Sequence, residues 1–131
     1  MAELLTNRKF WLGLAAYLVP TFALGFAWHL AIFAPLYQSL QIYRPDVIIP
    51  LGLLSMLIQG SILSWLYPRV MRTDASWMRE GLKFAVLVGL FAWSFSTNVM
   101  TSVPLYLALE TAFTAVQYAI VCPLIALAHR R

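Results

Sequence analysis

Two ionisable side chains interrupt long apolar stretches of this sequence: His29, directly after Trp28, and Glu110. An ionisable group inside an apolar segment of membrane length is costly to bury and is therefore a candidate functional residue. A histidine beside a carboxylate can bind an ion, exchange protons or act as an acid–base pair. Such chemistry requires the two side chains to lie at the same depth.

The basic residues at the ends of the apolar stretches allow that depth to be compared. His29 follows Lys9 by 20 residues, and Glu110 precedes Arg130 by 20 residues. At 1.5 Å per residue, both lie about 30 Å from those charges. We therefore expect the two side chains at similar height in the outer part of a membrane. Three interpretations stay open: a ligand or ion site, a buried pair that only joins two helices, or two ordinary residues at the lipid headgroups.

Other polar side chains fall between the midplane and the same outer surface, on all the predicted helices. Because a polar group in hydrocarbon needs a partner, we expect these groups to face one another or water, in one pocket open to the periplasmic side. No catalytic or metal-binding residue is predicted. The candidate ligand-binding residues are His29, Glu110, Gln59, Asn98, Ser55, Thr114, Gln117, Trp28 and Trp93.

The composition is that of an integral membrane protein. Of the 131 residues, 62% are hydrophobic and 11% are charged, whereas about a quarter of a soluble domain is charged. The apolar runs are continuous and about 20 residues long, which predicts helices and not barrel strands. We expect one all-α domain over 1–131, a bundle of four transmembrane helices at about 10–36, 47–67, 77–98 and 104–128. Pro20 predicts a bend in the first helix, and Pro68 predicts the end of the second.

The basic residues indicate the orientation of this bundle. Four consecutive spans alternate in direction, so the N-terminus, the second connection and the C-terminus share one side. A strong excess of basic residues on one side marks it as cytoplasmic. The prediction is a multi-pass protein of the bacterial inner membrane with both termini cytoplasmic. Arg44 lies on the opposite side, and the cytoplasmic residues are Arg8, Lys9, Arg69, Arg72, Arg79, Lys83, Arg130 and Arg131.

Several chemistries are excluded by position. The basic residues follow one membrane face, which argues against nucleic-acid binding. His29 and His129 lie near opposite faces and cannot hold one haem. The single cysteine, Cys122, lies at a different height from His29 and Glu110, so they make no zinc site. No glycine-rich phosphate loop is present, and no cofactor is expected.

Several short motifs occur together in the first half of the chain: Leu24-Gly-Phe-Ala-Trp-His29, then Phe33 and Tyr37, Ile42-Tyr-Arg44, Ile49-Pro-Leu-Gly52 and Ser55-Met-Leu-Ile-Gln-Gly60. In these motifs the chain resembles a group of small, uncharacterised bacterial inner-membrane proteins. The resemblance implies a four-helix membrane fold and assigns no activity.

Three functions fit these observations. The first is binding or transport of a small molecule or ion through the polar pocket, as a homodimer if transport occurs, because four helices enclose little space. The second is a non-catalytic accessory or scaffold subunit of a membrane complex, in which polar groups join helices. The third is an enzyme acting on a lipid, with Glu110 and His29 as acid and base, although no motif supports it. In each case the surrounding partner is the lipid bilayer.

Overall fold

A computed structural model of the chain describes residues 6–41, 49–99 and 104–131, except for the side chains of 95–99. Within these ranges 90% of the residues are helical and none lies in a strand. The predicted all-α class is therefore confirmed. The elements are α1 (Arg8–Gly25), a π-helix (Phe26–Ile32), α2 (Ala34–Leu40), α3 (Ile49–Val70), α4 (Trp77–Val99) and α5 (Pro104–His129).

The predicted helix over 10–36 is not one continuous α-helix. Pro20, where a bend is predicted, lies inside α1. The irregularity comes later, where the N–H of Phe33 donates to the carbonyl of Trp28, five residues back, at 3.1 Å. Pro35 has no N–H to donate to Ala31, and its ring crowds that carbonyl. A new helix, α2, therefore begins with Pro35 in its first turn.

The other helices lie close to their predicted positions. α4 and α5 match 77–98 and 104–128 to within one residue at each end. Residues 47 and 48, the predicted start of the second helix, lie outside the described ranges. α3 continues through Pro68 to Val70. Proline removes a single donor there, and the ladder resumes when the N–H of Met71 donates to Tyr67 at 2.9 Å.

The helices form a bundle in which α5 packs along α1 and α4, and α3 packs on α1. Lys9 Nζ donates to the carbonyl oxygen of Arg130 at 2.9 Å. The N–H of Arg131 donates to the carbonyl oxygen of Thr73 at 3.1 Å. The start of α1, the connection 71–76 and the end of α5 therefore share one end of the bundle, here named the basic end. The starts of α3 and α5 lie at the opposite, far end. The fully buried side chains include Tyr17, Tyr67, Phe84 and Ile125.

Three segments are long and apolar enough to cross a membrane: Arg8–Ile32, Ile49–Val70 and Pro104–His129. This supports a membrane protein. Within the part of the chain that the structure describes, α4 is not among these segments; Arg79, Glu80 and Lys83 all fall in its first two turns. Of the four spans predicted from the sequence, three are therefore supported by length and composition within the described residues.

α4 and α5 approach each other closely at a glycine. A Cβ atom placed on Gly81 would lie 2.4 Å from the Cα of Pro123. Any side chain at this position would therefore meet rigid backbone. Gly52 of α3 is the opposite case, because a Cβ there would meet nothing within 4 Å.

Candidate functional site

The two candidate ionisable residues meet at the far end of the bundle. His29 lies in the π-helix, and Glu110 lies in the second turn of α5. His29 Nε2 is 3.0 Å from Glu110 Oε1. π-Helices are rare in proteins, but those that do occur are often found at functional sites. The wider turn displaces side chains from their α-helical positions. The site is thus formed by an irregular segment of one candidate span and a regular segment of another.

Both ring nitrogens of His29 face hydrogen-bond acceptors. Nδ1 is 3.1 Å from the carbonyl oxygen of Gly25, and Nε2 faces the carboxylate of Glu110. The hydroxyl of Tyr37 donates to the same Oε1 atom at 2.7 Å. This geometry fits a doubly protonated ring beside an ionised carboxylate, or a neutral ring beside a protonated one. In both forms one proton lies between Nε2 and Oε1, and the pair as a whole is neutral.

Aromatic rings surround this pair. The ring of His29 lies 4.6 Å from that of Phe113, edge to face, and 4.9 Å from that of Tyr37. Trp28 Nε1 donates to the hydroxyl of Tyr37 at 3.2 Å, which helps to hold that hydroxyl towards Glu110. The side chains of His29 and Glu110 are each 22% exposed. The pair is therefore only partly covered by the rest of the protein.

A second polar group, the glutamine network, joins three helices near the middle of the bundle. The hydroxyl of Tyr17 donates to Gln59 Oε1 at 2.5 Å and accepts from Gln117 Nε2 at 3.3 Å. Gln117 Nε2 also donates to Thr21 Oγ1 at 3.2 Å, and Gln59 Nε2 donates to Ser55 Oγ at 3.1 Å. Gln117 follows Glu110 by two helical turns, about 10 Å along α5. The network is therefore separate from the His29–Glu110 pair.

A third group lies between α4 and α5. Trp93 Nε1 donates to Thr111 Oγ1 at 2.9 Å. Trp93 and Thr114 line an apolar groove of about 420 Å³ together with Gly89 and Tyr118. The lining of this groove includes neither His29 nor Glu110.

The predicted residues thus fall into three groups where the sequence predicts one pocket. Trp28, His29 and Glu110 lie together; Ser55, Gln59 and Gln117 lie in the glutamine network; Trp93 and Thr114 line the α4–α5 groove. The side chain of Asn98 lies outside the described part of the chain. Sequence reasoning missed Tyr37, Tyr17 and Thr21 as partners. A signal was present, because His29, Phe33 and Tyr37 recur every four residues, the spacing of one helix face.

The basic end carries its own histidine contact. His129 is buried, and its Nε2 lies 3.0 Å from Ser64 Oγ. Because that hydroxyl donates to the carbonyl of Phe10 at 2.8 Å, the histidine nitrogen is the donor to Ser64. His129 thus joins α5 to α3 and α1. Within 6–41, 49–99 and 104–131, no cluster of three His, Cys, Asp or Glu side chains is placed to hold a metal ion.

Tyr17→Phe tests the glutamine network. The substitution removes the hydroxyl that links Gln59 to Gln117, so we expect a loss of about 1–2 kcal/mol of unfolding free energy. Denaturant unfolding in mixed detergent micelles measures it. Tyr118→Phe is the matched control, since its hydroxyl takes no part in this network, and it is expected to unfold like the wild type. Equal stability of Tyr17→Phe and the wild type would contradict the network.

No protein-family model, no curated protein and no solved structure matches this chain.

Proposed function

We propose that this chain is a four-span protein of the bacterial inner membrane that binds a small ion or molecule, a proton or a cation, through His29 and Glu110. The observation that carries the proposal is the 3.0 Å contact between His29 Nε2 and Glu110 Oε1 on two candidate membrane spans. Ionisable groups at such depth are expensive and mark ion or substrate sites by default. When the shared proton leaves, the pair carries one negative charge and attracts a cation.

The four-span arrangement is supported by packing and by exposed side chains. α4 packs along α5, itself long and apolar enough to cross a membrane. The middle of α4 presents Val86 (61% exposed) and Phe91 (78% exposed), side chains suited to lipid. The contacts of Lys9 with Arg130 and of Arg131 with Thr73 gather basic residues at one end. We assign that end to the cytoplasm, so the His29–Glu110 pair faces the periplasm.

The surrounding rings indicate the class of ligand. Aromatic faces attract cations electrostatically, and quaternary ammonium groups in particular bind among such rings. In the observed state the ring of His29 occupies the space between Phe113, Tyr37 and the carboxylate. A cation at Glu110 would therefore compete with the proton and the imidazole ring for one carboxylate.

Binding and flux experiments test this function. The chain is reconstituted in vesicles containing a pH-sensitive dye and exposed in turn to a proton gradient, Na⁺ and tetramethylammonium. We expect the wild type to respond to at least one probe, and Glu110→Gln and His29→Gln to lose that response. Tyr118→Phe is the control and should respond like the wild type. Absence of any wild-type response, or wild-type behaviour of both variants, would contradict the proposal.

An accessory-subunit function is the second candidate, favoured by the glutamine network. Gln59, Ser55 and Gln117 bond to protein partners within the bundle, as expected of polar side chains that only join helices. This function predicts that purification in mild detergent recovers a larger complex. Recovery of the chain alone or as a homodimer would favour the binding function.

A further inference from the structure

An apolar groove of about 520 Å³ runs between α1 and α5 near the basic end, away from His29 and Glu110. It is open along its length, since Leu12 and Val19 are 46% and 69% exposed. In a membrane protein such a groove lies against acyl chains. Its lining includes Leu12, Ala15, Val19, Leu124, Leu127 and Ala128.

The positions of the lining residues lead directly to basic side chains. Leu12, Ala15 and Val19 share one face of α1, and Arg8 lies on the same face one turn earlier. On the other side of the groove, the last turn of α5 is followed by Arg130 and Arg131. Lys9 Nζ bridges the two helices through the carbonyl of Arg130. The groove therefore ends in a cluster of cations, named here the basic mouth: Arg8, Lys9, Arg130 and Arg131.

The charge of the basic mouth is only partly offset by the acidic residues that the structure describes. Glu110 pairs with His29, and Glu80 pairs with Lys83 and Arg79. Asp74 pairs with Arg72 at 3.4 Å; the Arg72 guanidinium, and more weakly Arg131 of the basic mouth, lower the pKa of that carboxyl below its usual value. The carbonyl that accepts from Lys9 is uncharged. The acidic residues in the described part of the chain therefore leave a net positive charge at this end of the groove, which favours an anionic ligand.

The α4–α5 groove gives an internal comparison. It is similarly apolar, but α4 carries its basic residues Arg79 and Lys83 on either side of the buried Glu80 carboxylate. The basic charge beside that groove is therefore partly cancelled. Of the two grooves, the one between α1 and α5 combines an apolar surface with the larger excess of positive charge.

We propose that the α1–α5 groove is a binding site for an anionic phospholipid, with an acyl chain against Leu12, Ala15 and Leu127 and the phosphate group at the basic mouth. Basic residues near the membrane surface attract anionic lipids, and basic pockets between transmembrane helices bind their headgroups. The groove provides an apolar surface that continues into the basic mouth. A phospholipid would contact both parts, whereas a free anion would contact only the basic residues. This site is independent of the function proposed for His29 and Glu110.

Photo-crosslinking tests the proposal. The full chain is placed in phosphatidylcholine nanodiscs with a trace of phosphatidylglycerol or phosphatidylcholine carrying the same photoreactive acyl chain, and labelled peptides are identified by mass spectrometry. We expect the phosphatidylglycerol probe to label residues 12–19 and 124–128 several-fold more than the phosphatidylcholine probe. Equal labelling by both probes would overturn the proposal, as would displacement by inorganic phosphate, which would indicate a simple anion site.

Three variants separate the contribution of the basic charge from that of the apolar groove. Arg8→Gln combined with Arg131→Gln should reduce labelling about fivefold for each charge removed. Arg69→Gln combined with Arg79→Gln removes equal charge elsewhere at the basic end and should leave labelling unchanged. Ala15→Leu fills the groove and should abolish labelling with all cations in place. Equal losses in the two charge variants, or no effect of Ala15→Leu at wild-type helicity by circular dichroism, would overturn the site.

Discussion

Glu110→Ala is expected to lower the unfolding free energy of this chain by about 1–3 kcal/mol. The carboxyl group makes two hydrogen bonds with other segments, one with His29 Nε2 and one that it accepts from the hydroxyl of Tyr37. An interhelical hydrogen bond in a membrane protein contributes about 0.6 kcal/mol on average and about 1.7 at most. Tyr37→Phe removes one of these two bonds and also the bond from Trp28 Nε1, so it should cost a similar amount. Denaturant unfolding in mixed micelles measures both.

A double-mutant cycle isolates the contact between the two ionisable residues. His29→Ala and Glu110→Ala, alone and combined, should show a coupling free energy of about 1 kcal/mol. The control cycle pairs His29→Ala with Gln117→Leu, because Gln117 belongs to the separate glutamine network. Those two changes should be additive to within about 0.5 kcal/mol. Additivity in the first cycle would show that the two side chains do not interact in the folded protein.

Gly81→Ala is the second substitution with a large expected effect. Its Cβ would lie 2.4 Å from the Cα of Pro123, so α4 and α5 must separate to admit it. Overpacking of this kind costs about 1–3 kcal/mol, and the upper part of that range applies because backbone cannot rotate out of the way. The expected result is a lower unfolding midpoint and weaker association of α4 with the bundle, measured by unfolding and by limited proteolysis.

Gly52→Ala is the matched control for that substitution. Both glycines lie in helices, but nothing lies within 4 Å of a Cβ at position 52. Alanine is the better helix former by about 1 kcal/mol, so this variant should be neutral or more stable. Destabilisation of both variants to the same extent would attribute the effect to something other than the close approach of α4 and α5.

The similar height of His29 and Glu110 could be predicted from the sequence because helical rise is constant. Counting residues from Lys9 and Arg130 gave both side chains the same depth, and the structure brings them within 3.0 Å. The depth of a residue along a helix does not determine which residues its side chain contacts. The direction in which a side chain projects around its helix depends on packing and on irregular turns, so Gln59, Gln117 and Thr114 could be assigned a height but not a neighbour. The side chain of Asn98 lies outside the described residues, so its place in the predicted pocket stays a prediction.

The helix boundaries show the same distinction between local and non-local information. Prolines were visible in the sequence at 20, 35 and 68, and each removes one backbone donor. The α-helical ladder passes Pro20 and Pro68, whereas a π-helix and a helix break precede Pro35. The chemistry of proline is identical at the three positions. The result differs because the contacts of Trp28, His29 and Tyr37 with α5 and with one another stabilise the irregular segment.

The π-helix also affects how this site should be searched for in related sequences. In a straight α-helix, His29 and Tyr37 would be separated by about 12 Å along the axis. In this structure a wide turn and a break at Phe33 lie between them, and both side chains contact the same oxygen atom of Glu110. Deletion of one residue within Phe26–Ile32 is expected to remove the wide turn and so to change the angle between the two side chains about the helix axis. A sequence comparison should therefore allow a one-residue gap in this segment and test for the histidine and the tyrosine as a linked pair.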